Sequence, residues 1–158
     1  MRALKTLKNL GLGLLLTGAL IGCSKSSNPV NDDNGNGNND AATKQQIVNL
    51  YYNWASFSQQ HNYSMMMTLV IPGSNFAGAS AVLKSRWNEG YVDYYKFSSV
   101  EVEYIEGNSA SVRGNWRLYQ GKPGDISYIE DRFYSESLDM GNGWKLSGMN
   151  WGKPARQN

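Results

Sequence analysis

The sequence predicts an α+β domain in which N-terminal helices pack on a curved antiparallel sheet. Three observations predict it. Apolar residues recur at helical spacing between Ile47 and Phe57, they alternate along the chain from Phe97 onward, and short Gly-containing turns separate the alternating runs.

Thr43 and Gln46 have the spacing of a capping box, in which each side chain satisfies a backbone N–H left open at a helix start. Ile47, Leu50, Tyr51 and Trp54 then fall on one stripe, widened by Val48, Tyr52, Ala55 and Phe57. This predicts an amphipathic helix ending near Gln60. A short apolar segment, Met65 to Val70, stops at the Pro72-Gly73 turn. A third helix is expected from Ser80 to Glu89, carrying Val82, Leu83, Arg86 and Trp87, with Gly90 as its stop.

Strands are expected after Tyr94. Val100, Val102 and Tyr104 alternate with Glu101 and Glu103, and Ala110, Val112, Gly114, Trp116 and Leu118 alternate with Ser111, Arg113, Asn115 and Arg117. Both even-numbered sets share a face only if paired positions have an even sum. A three-residue loop, Gly107-Asn108-Ser109, meets that condition and sets Val102 opposite Gly114 and Glu103 opposite Arg113. By the same reasoning Gly141-Asn142-Gly143, with Gly143 left-handed, sets Leu138 opposite Leu146 and Asp139 opposite Lys145. The last two strands do not alternate cleanly. Leu138, Trp144 and Leu146 lie on one parity, and Ile129, Phe133, Met149 and Trp151 on the other. Either a bulge switches faces, or a cover such as a homodimer partner lies on the second face.

The start of the chain has a different character. Arg2, Lys5 and Lys8 precede an apolar run from Leu10 to Ile21, and Leu20-Ile21-Gly22-Cys23 follows. The run is too short to cross roughly 30 Å of hydrocarbon but has the length of a signal-peptide core. Leu-Ile-Gly-Cys resembles the lipobox of bacterial lipoproteins. The resemblance implies cleavage before Cys23, a diacylglyceryl thioether on it, and a membrane anchor. Ser24 is not the aspartate of enterobacterial inner-membrane retention signals, so the outer membrane is expected, with the face that carries the protein open.

Cys23 is the only cysteine, so its lipidation leaves the domain without a disulfide, a Cys-based metal site or a thiol nucleophile. Without residues 1–22 the formal net charge falls from +2 to −1, and no Lys/Arg cluster suits a phosphate backbone, which argues against nucleic acid as a partner. From Ser24 to about Asp40 the chain is Ser-, Asn-, Asp- and Gly-rich, with Val30 its sole apolar side chain. It reads as a disordered tether spanning roughly 20–25 Å. The expected organisation is signal peptide 1–22, lipidated tether 23–42 and one folded domain 43–158.

Residues 47–54 (Ile-Val-Asn-Leu-Tyr-Tyr-Asn-Trp), the stop at Ile71-Pro72-Gly73, the runs Val100 to Tyr104 and Gly107 to Val112, and Gly143-Trp144-Lys145-Leu146 together resemble the NTF2-like, or SnoaL-like, superfamily. The resemblance implies a cone of sheet and helices around an apolar pocket. Some members are isomerases, cyclases or dehydratases with an Asp or His base, and many are binding or assembly modules. These are scaffold positions, so the likeness argues fold rather than activity.

Chemistry-bearing residues are few. His61, the only histidine, sits at the end of the first helix, where it fits a pocket-edge base or a cap on the helix dipole. One His does not suffice for zinc, and no metal or cofactor is expected. Asp93 lies among Tyr91, Tyr94 and Tyr95; it reads either as a base with phenol donors nearby or as a solvated or capping loop residue. Glu130, Asp131 and Arg132 read as an exposed salt-bridged face. Five Trp and ten Tyr are many for one small domain. Tyr51, Trp54, Trp87, Tyr91, Tyr95 and Trp116 are the candidates to line a cavity for an apolar or glycan-like molecule.

The leading expectation is therefore a non-catalytic, envelope-anchored domain that binds a small molecule or an envelope protein. The alternatives are a SnoaL-like lyase or isomerase using Asp93 or His61, and a structural protein that dimerises through an outward-facing Phe133–Met149–Trp151 cluster.

Overall fold

The computed structural model describes residues 37–151, with side chains from residue 41 to residue 150. The expected signal peptide, Cys23 and most of the expected tether lie outside the described residues. Three helices, α1 (Gly37–Gln59), α2 (Tyr63–Thr68) and α3 (Asn75–Asn88), precede four strands, β1 (Tyr94–Glu106), β2 (Ser109–Lys122), β3 (Asp125–Asp139) and β4 (Trp144–Trp151). The strands form one antiparallel meander in the order β1-β2-β3-β4. The predicted α+β class, helices on one face of an antiparallel sheet, is what the chain adopts.

Helix α1 buries Ile47, Tyr51, Trp54, Ala55 and Ser58, which is one stripe at helical spacing. It begins at Gly37, so Thr43 lies within the helix and the expected capping box does not mark its start. At its other end His61 has φ 54°, its N–H bonds to Ser58 O (3.0 Å), and the Asn62 N–H bonds to Phe57 O (2.8 Å). That is a Schellman stop with histidine in the left-handed position usually held by glycine. Helix α3 starts at Asn75 rather than Ser80, because Ser74 supplies the N-cap by accepting from the Ala77 N–H.

The hairpins correct both predicted registers. β1 and β2 are joined by Gly107-Asn108 alone, pairing Glu106 with Ser109. Glu103 is then an extra residue on β1, and beyond it Val102 pairs with Val112 and Glu101 with Arg113. The even sum is reached by a bulge instead of a longer loop, two positions from the predicted register. A second bulge at Ser98 turns Tyr95 and Phe97 inward along with Val102. Gly114 lies opposite this region, where a Cβ would come within 2.0 Å of Ser99 O.

In the last hairpin Asp139 pairs with Trp144 and Ser137 with Leu146, so Leu138 faces Lys145 and not Leu146. The loop is four residues, Met140 to Gly143, with Gly143 at φ 116°. A bulge at Ser147 then switches parity, which puts Leu146 and Met149 both on the helix side. Of the two explanations for the broken alternation, the bulge applies. Phe133 and Met149 are buried, so they do not form an outward-facing cluster.

The free edge of β4 is covered. Val70 forms a parallel bridge with Leu146, through Ile71 N–H to Leu146 O and Leu146 N–H to Leu69 O, each 2.9 Å. Behind the sheet lies an aromatic core centred on Tyr51, which meets Phe76 and Phe97 edge-on (5.7 Å each) and stacks on Phe133 (5.6 Å). Buried serines answer the polar ends of these rings. The Tyr51 hydroxyl donates to Ser135 Oγ (2.8 Å) and lies 3.1 Å from Ser137 Oγ, and Trp54 Nε1 donates to Ser80 Oγ (3.0 Å).

Candidate functional site

Among the described residues, aromatic side chains pack the space between the helices and the sheet, and a cleft lies beside them. Tyr51, Trp54 and Trp116, three of the expected cavity-lining aromatics, pack into the closed core with Phe76, Phe97 and Phe133. Between α3 and the helix-facing side of the sheet runs a cleft of about 1020 Å³. Its apolar wall comes from Val82 and Leu83 on α3, Tyr95 on β1, Leu118 on β2 and Met149 on β4. Val82 is 62% exposed. Asn75 and Asn150 stand on the lining, and the Asn75 side-chain amide donates to Met149 O (2.9 Å).

The cleft also takes in Arg86 and Asp93. Asp93 is 3% exposed, which overturns the expectation of a solvated loop residue. Its Oδ2 accepts from Arg86 Nε at 2.6 Å and its Oδ1 from the Gly121 backbone N–H at 2.9 Å. The pair ties the last turn of α3 to the end of β2. Both oxygens of this carboxylate are thus engaged within the fold, one by a guanidinium and one by a backbone N–H. Tyr95, which lines the cleft beside it, has its hydroxyl pushed up to about 12 by burial and then by the Asp93 charge.

Trp87 and Tyr91 sit together near Arg86. Trp87 Nε1 donates to Asp93 O (2.7 Å), and the Arg86 guanidinium lies over the Tyr91 ring at 3.5 Å, with Lys122 Nζ at 5.4 Å from the same ring. His61 is exposed and outside the cleft lining; its ring stacks on Trp87 at 4.7 Å. Its place is that of a helix stop, with the left-handed backbone of the Schellman turn. Sequence reasoning missed the α3 wall, Leu118 and Met149. Arg86 was visible as a helix position, but its partnership with Asp93 depends on how α3 enters β1.

A second depression, about 660 Å³, lies on the sheet around Glu103, Tyr104, Arg113, Tyr134 and Glu136. Its Arg113 is paired with Glu101 (2.9 Å) and Glu103 (3.2 Å), and Arg117 with Glu130 (2.6 Å), which makes that surface a solvated charge ladder, as expected for Glu130. Among the described residues no group of acidic, His or Cys side chains could hold a metal ion, and no helix is long and apolar enough to cross a membrane.

No protein-family model and no curated protein sequence matches the chain. Solved structures do. The chain is similar to an NTF2-like superfamily protein from Salmonella enterica, with 12% identity and a TM-score of 0.60 over 75% of this chain and 96% of that one. It is similar to an NTF2-like protein with a cystatin-like fold from Novosphingobium aromaticivorans, with 11% identity and a TM-score of 0.57 over 72% and 82%. A third similar structure is the beta subunit of the benzoate 1,2-dioxygenase from Burkholderia mallei, with 12% identity and a TM-score of 0.54 over 66% and 86%. At such identities the likeness speaks to architecture alone, and with the element order and the helix-covered meander already described, it shows that residues 37–151 adopt the NTF2-like fold.

Proposed function

We propose that this protein is an envelope lipoprotein, anchored through Cys23, whose NTF2-like domain binds a small apolar molecule without catalysing a reaction. The observation that carries the reading is the open cleft of about 1020 Å³ whose lining, mixed polar and apolar, includes Val82, Leu83, Tyr95, Leu118 and Met149 from four separate elements. That volume lies at the upper end of the range for small-molecule sites, roughly 300–1,000 Å³. The titratable groups at the cleft support binding over catalysis, because Asp93 has both oxygens engaged and His61 is elsewhere. The anchor rests on the basic start, apolar run and Leu-Ile-Gly-Cys of residues 1–23.

Both halves are testable on one preparation, the full chain expressed in a bacterial host and isolated from its envelope. Intact-mass analysis should show loss of residues 1–22 and acyl groups on Cys23; an unmodified Met1 terminus with a free thiol would refute the anchor. Native mass spectrometry should show a co-purifying molecule lost on mild activation. An empty protein that also fails to bind any member of an apolar ligand panel would refute the carrier reading.

A further inference from the structure

On the sheet face turned away from the helices, charge is sorted along the strands. Lys96 stands in a row with Arg117 and Glu130, and Arg132 in the next row, beside Asn115. The third row holds Glu101, Arg113 and Tyr134. Glu136 follows in the fourth, beside Ser111, and Glu106 in the fifth, beside Ser109. Much of this charge is paired within the chain, Arg113 with Glu101 and Glu103, and Arg117 with Glu130. The remainder is segregated. Among the described residues Lys96 and Arg132 at one end, and Glu106 and Glu136 at the other, are exposed and form no ion pair. Glu136 only accepts a hydrogen bond from Ser109 Oγ (2.7 Å).

We propose that this face is where two copies of the chain meet, in a two-fold dimer whose axis runs across the strands at the row of Arg113. Such an axis reverses the strand direction and keeps each strand over its own counterpart. It lays the second row of one copy on the fourth row of the other, and the first on the fifth. Arg132 then meets Glu136 of the facing copy, both on β3, and Lys96 meets Glu106, both on β1. Each contact occurs twice, so all four charges left over in a single chain gain an opposite partner. Arg132 and Glu136 are about 13 Å apart along β3, with Tyr134 midway at the axis.

Shape and composition agree with the charges. The depression of about 660 Å³ beside Glu103, Glu106 and Glu136 gives room to the long cationic side chains of the facing copy. Tyr104 lines it and is 48% exposed, the kind of amphipathic ring that protein–protein contacts favour. The five rows cover roughly 30 Å by 15–20 Å, about 500 Å² per copy. The total of about 1,000 Å² is near the lower limit for a specific interface, so the dimer should be weak and sensitive to salt. The contact is face to face. It leaves the helix-side cleft and the free edge of β3 open, and it stands independently of what the cleft binds.

The test is sedimentation equilibrium of the full chain in a density-matched detergent, with micelles in large excess over protein. A monomer–dimer equilibrium is expected at about 50 mM salt, weakened at least about tenfold at about 500 mM. Arg132→Glu and Glu136→Arg each set like charges against one another at both β3 contacts, so each variant alone should stay monomeric over the same range. Mixed in equal amounts, the two should dimerise, because each then offers the other opposite charges at both contacts. A chain carrying both reversals should dimerise on its own. Wild-type protein that stays monomeric up to about 100 µM would overturn the proposal. So would a dimer indifferent to salt and to both reversals, which would place the interface elsewhere. A mixture of the single variants that remains monomeric would overturn the Arg132–Glu136 pairing and the axis with it.

Discussion

Tyr51 shows how one residue can organise the interior. It lies fully buried with three aromatic rings around it, and its hydroxyl is held by Ser135 and Ser137, while Ser135 Oγ also donates to Gly148 O on β4. A phenol so placed joins α1 to β3 and β4 through polar atoms that would otherwise be unsatisfied. Tyr51→Phe should cost about 1–2 kcal/mol, read as a lower urea midpoint with an unchanged slope. The same burial gives a pH signature. Desolvation raises the Tyr51 hydroxyl far above the ordinary phenol range, and Tyr95 is pushed up to about 12. A raised value favours the neutral phenol in the folded state. Its stabilisation is therefore complete below about pH 10, where an unfolded tyrosine is still neutral, and fades as the pH climbs through about 12. The urea midpoint should hold level up to that lower limit and then fall, and fall less steeply in Tyr51→Phe. Parallel alkaline limbs for the two proteins would mean that the ring ionises without cost to the fold.

At the scale of elements, the join between α3, β1 and β2 is made by Arg86, Asp93 and the Gly121 N–H. Asp93→Ala leaves a guanidinium and a backbone donor without their partner. It should cost about 2–3 kcal/mol, less than the full penalty of breaking a buried pair because Arg86 keeps contact with water. Arg117→Gln, which breaks an exposed pair with Glu130, should cost at most about 1 kcal/mol. Thermal unfolding of the two variants side by side checks the order, and equal losses would make the Asp93 pair an ordinary surface contact. This join marks the limit of what the sequence shows. The α+β order and the stripe of α1 were legible because helical and alternating periods are local. The even-sum rule for β1 and β2 was legible too. What met it, a bulge at Glu103, was not, since a bulge and a longer loop satisfy the same alternation. Ser74 as the cap of α3 was not seen, since the helix was read only from Ser80 onward, and Leu138 took the face that its apolarity did not suggest. The site was less legible than the fold. Asp93 was singled out by its tyrosines, but the wall formed by Val82, Leu118 and Met149 depends on the angle between α3 and the sheet, which no single segment encodes.

For the molecule as a whole, burial is unevenly placed. The helices cover the sheet around Phe133, Ser135 and Ser137, whereas residues 122–132 are exposed throughout, with Ile126, Tyr128 and Ile129 each about half accessible. β4 pairs with β3 only from Phe133 to Asp139, so among the described residues the segment from Asp125 to Arg132 pairs with β2 alone. The two halves of β3 thus have different supports. One lies between two strands and under an aromatic core; the other is held by one ladder, the Arg117–Glu130 pair and the stack of Tyr94, Tyr119 and Tyr128. Local opening free energy follows buried apolar contact, so the arm should open well below the global unfolding free energy. Native-state hydrogen exchange should show amides of residues 126–132 exchanging at low denaturant in a separate unit, and those of 133–137 only through global unfolding. A ligand in the cleft touches the arm through Leu118 and Gln120 and should slow that exchange selectively. Uniform protection along the whole of β3 would instead require the free edge to be covered in solution, and dilution would then reveal whether a second copy of the chain covers it.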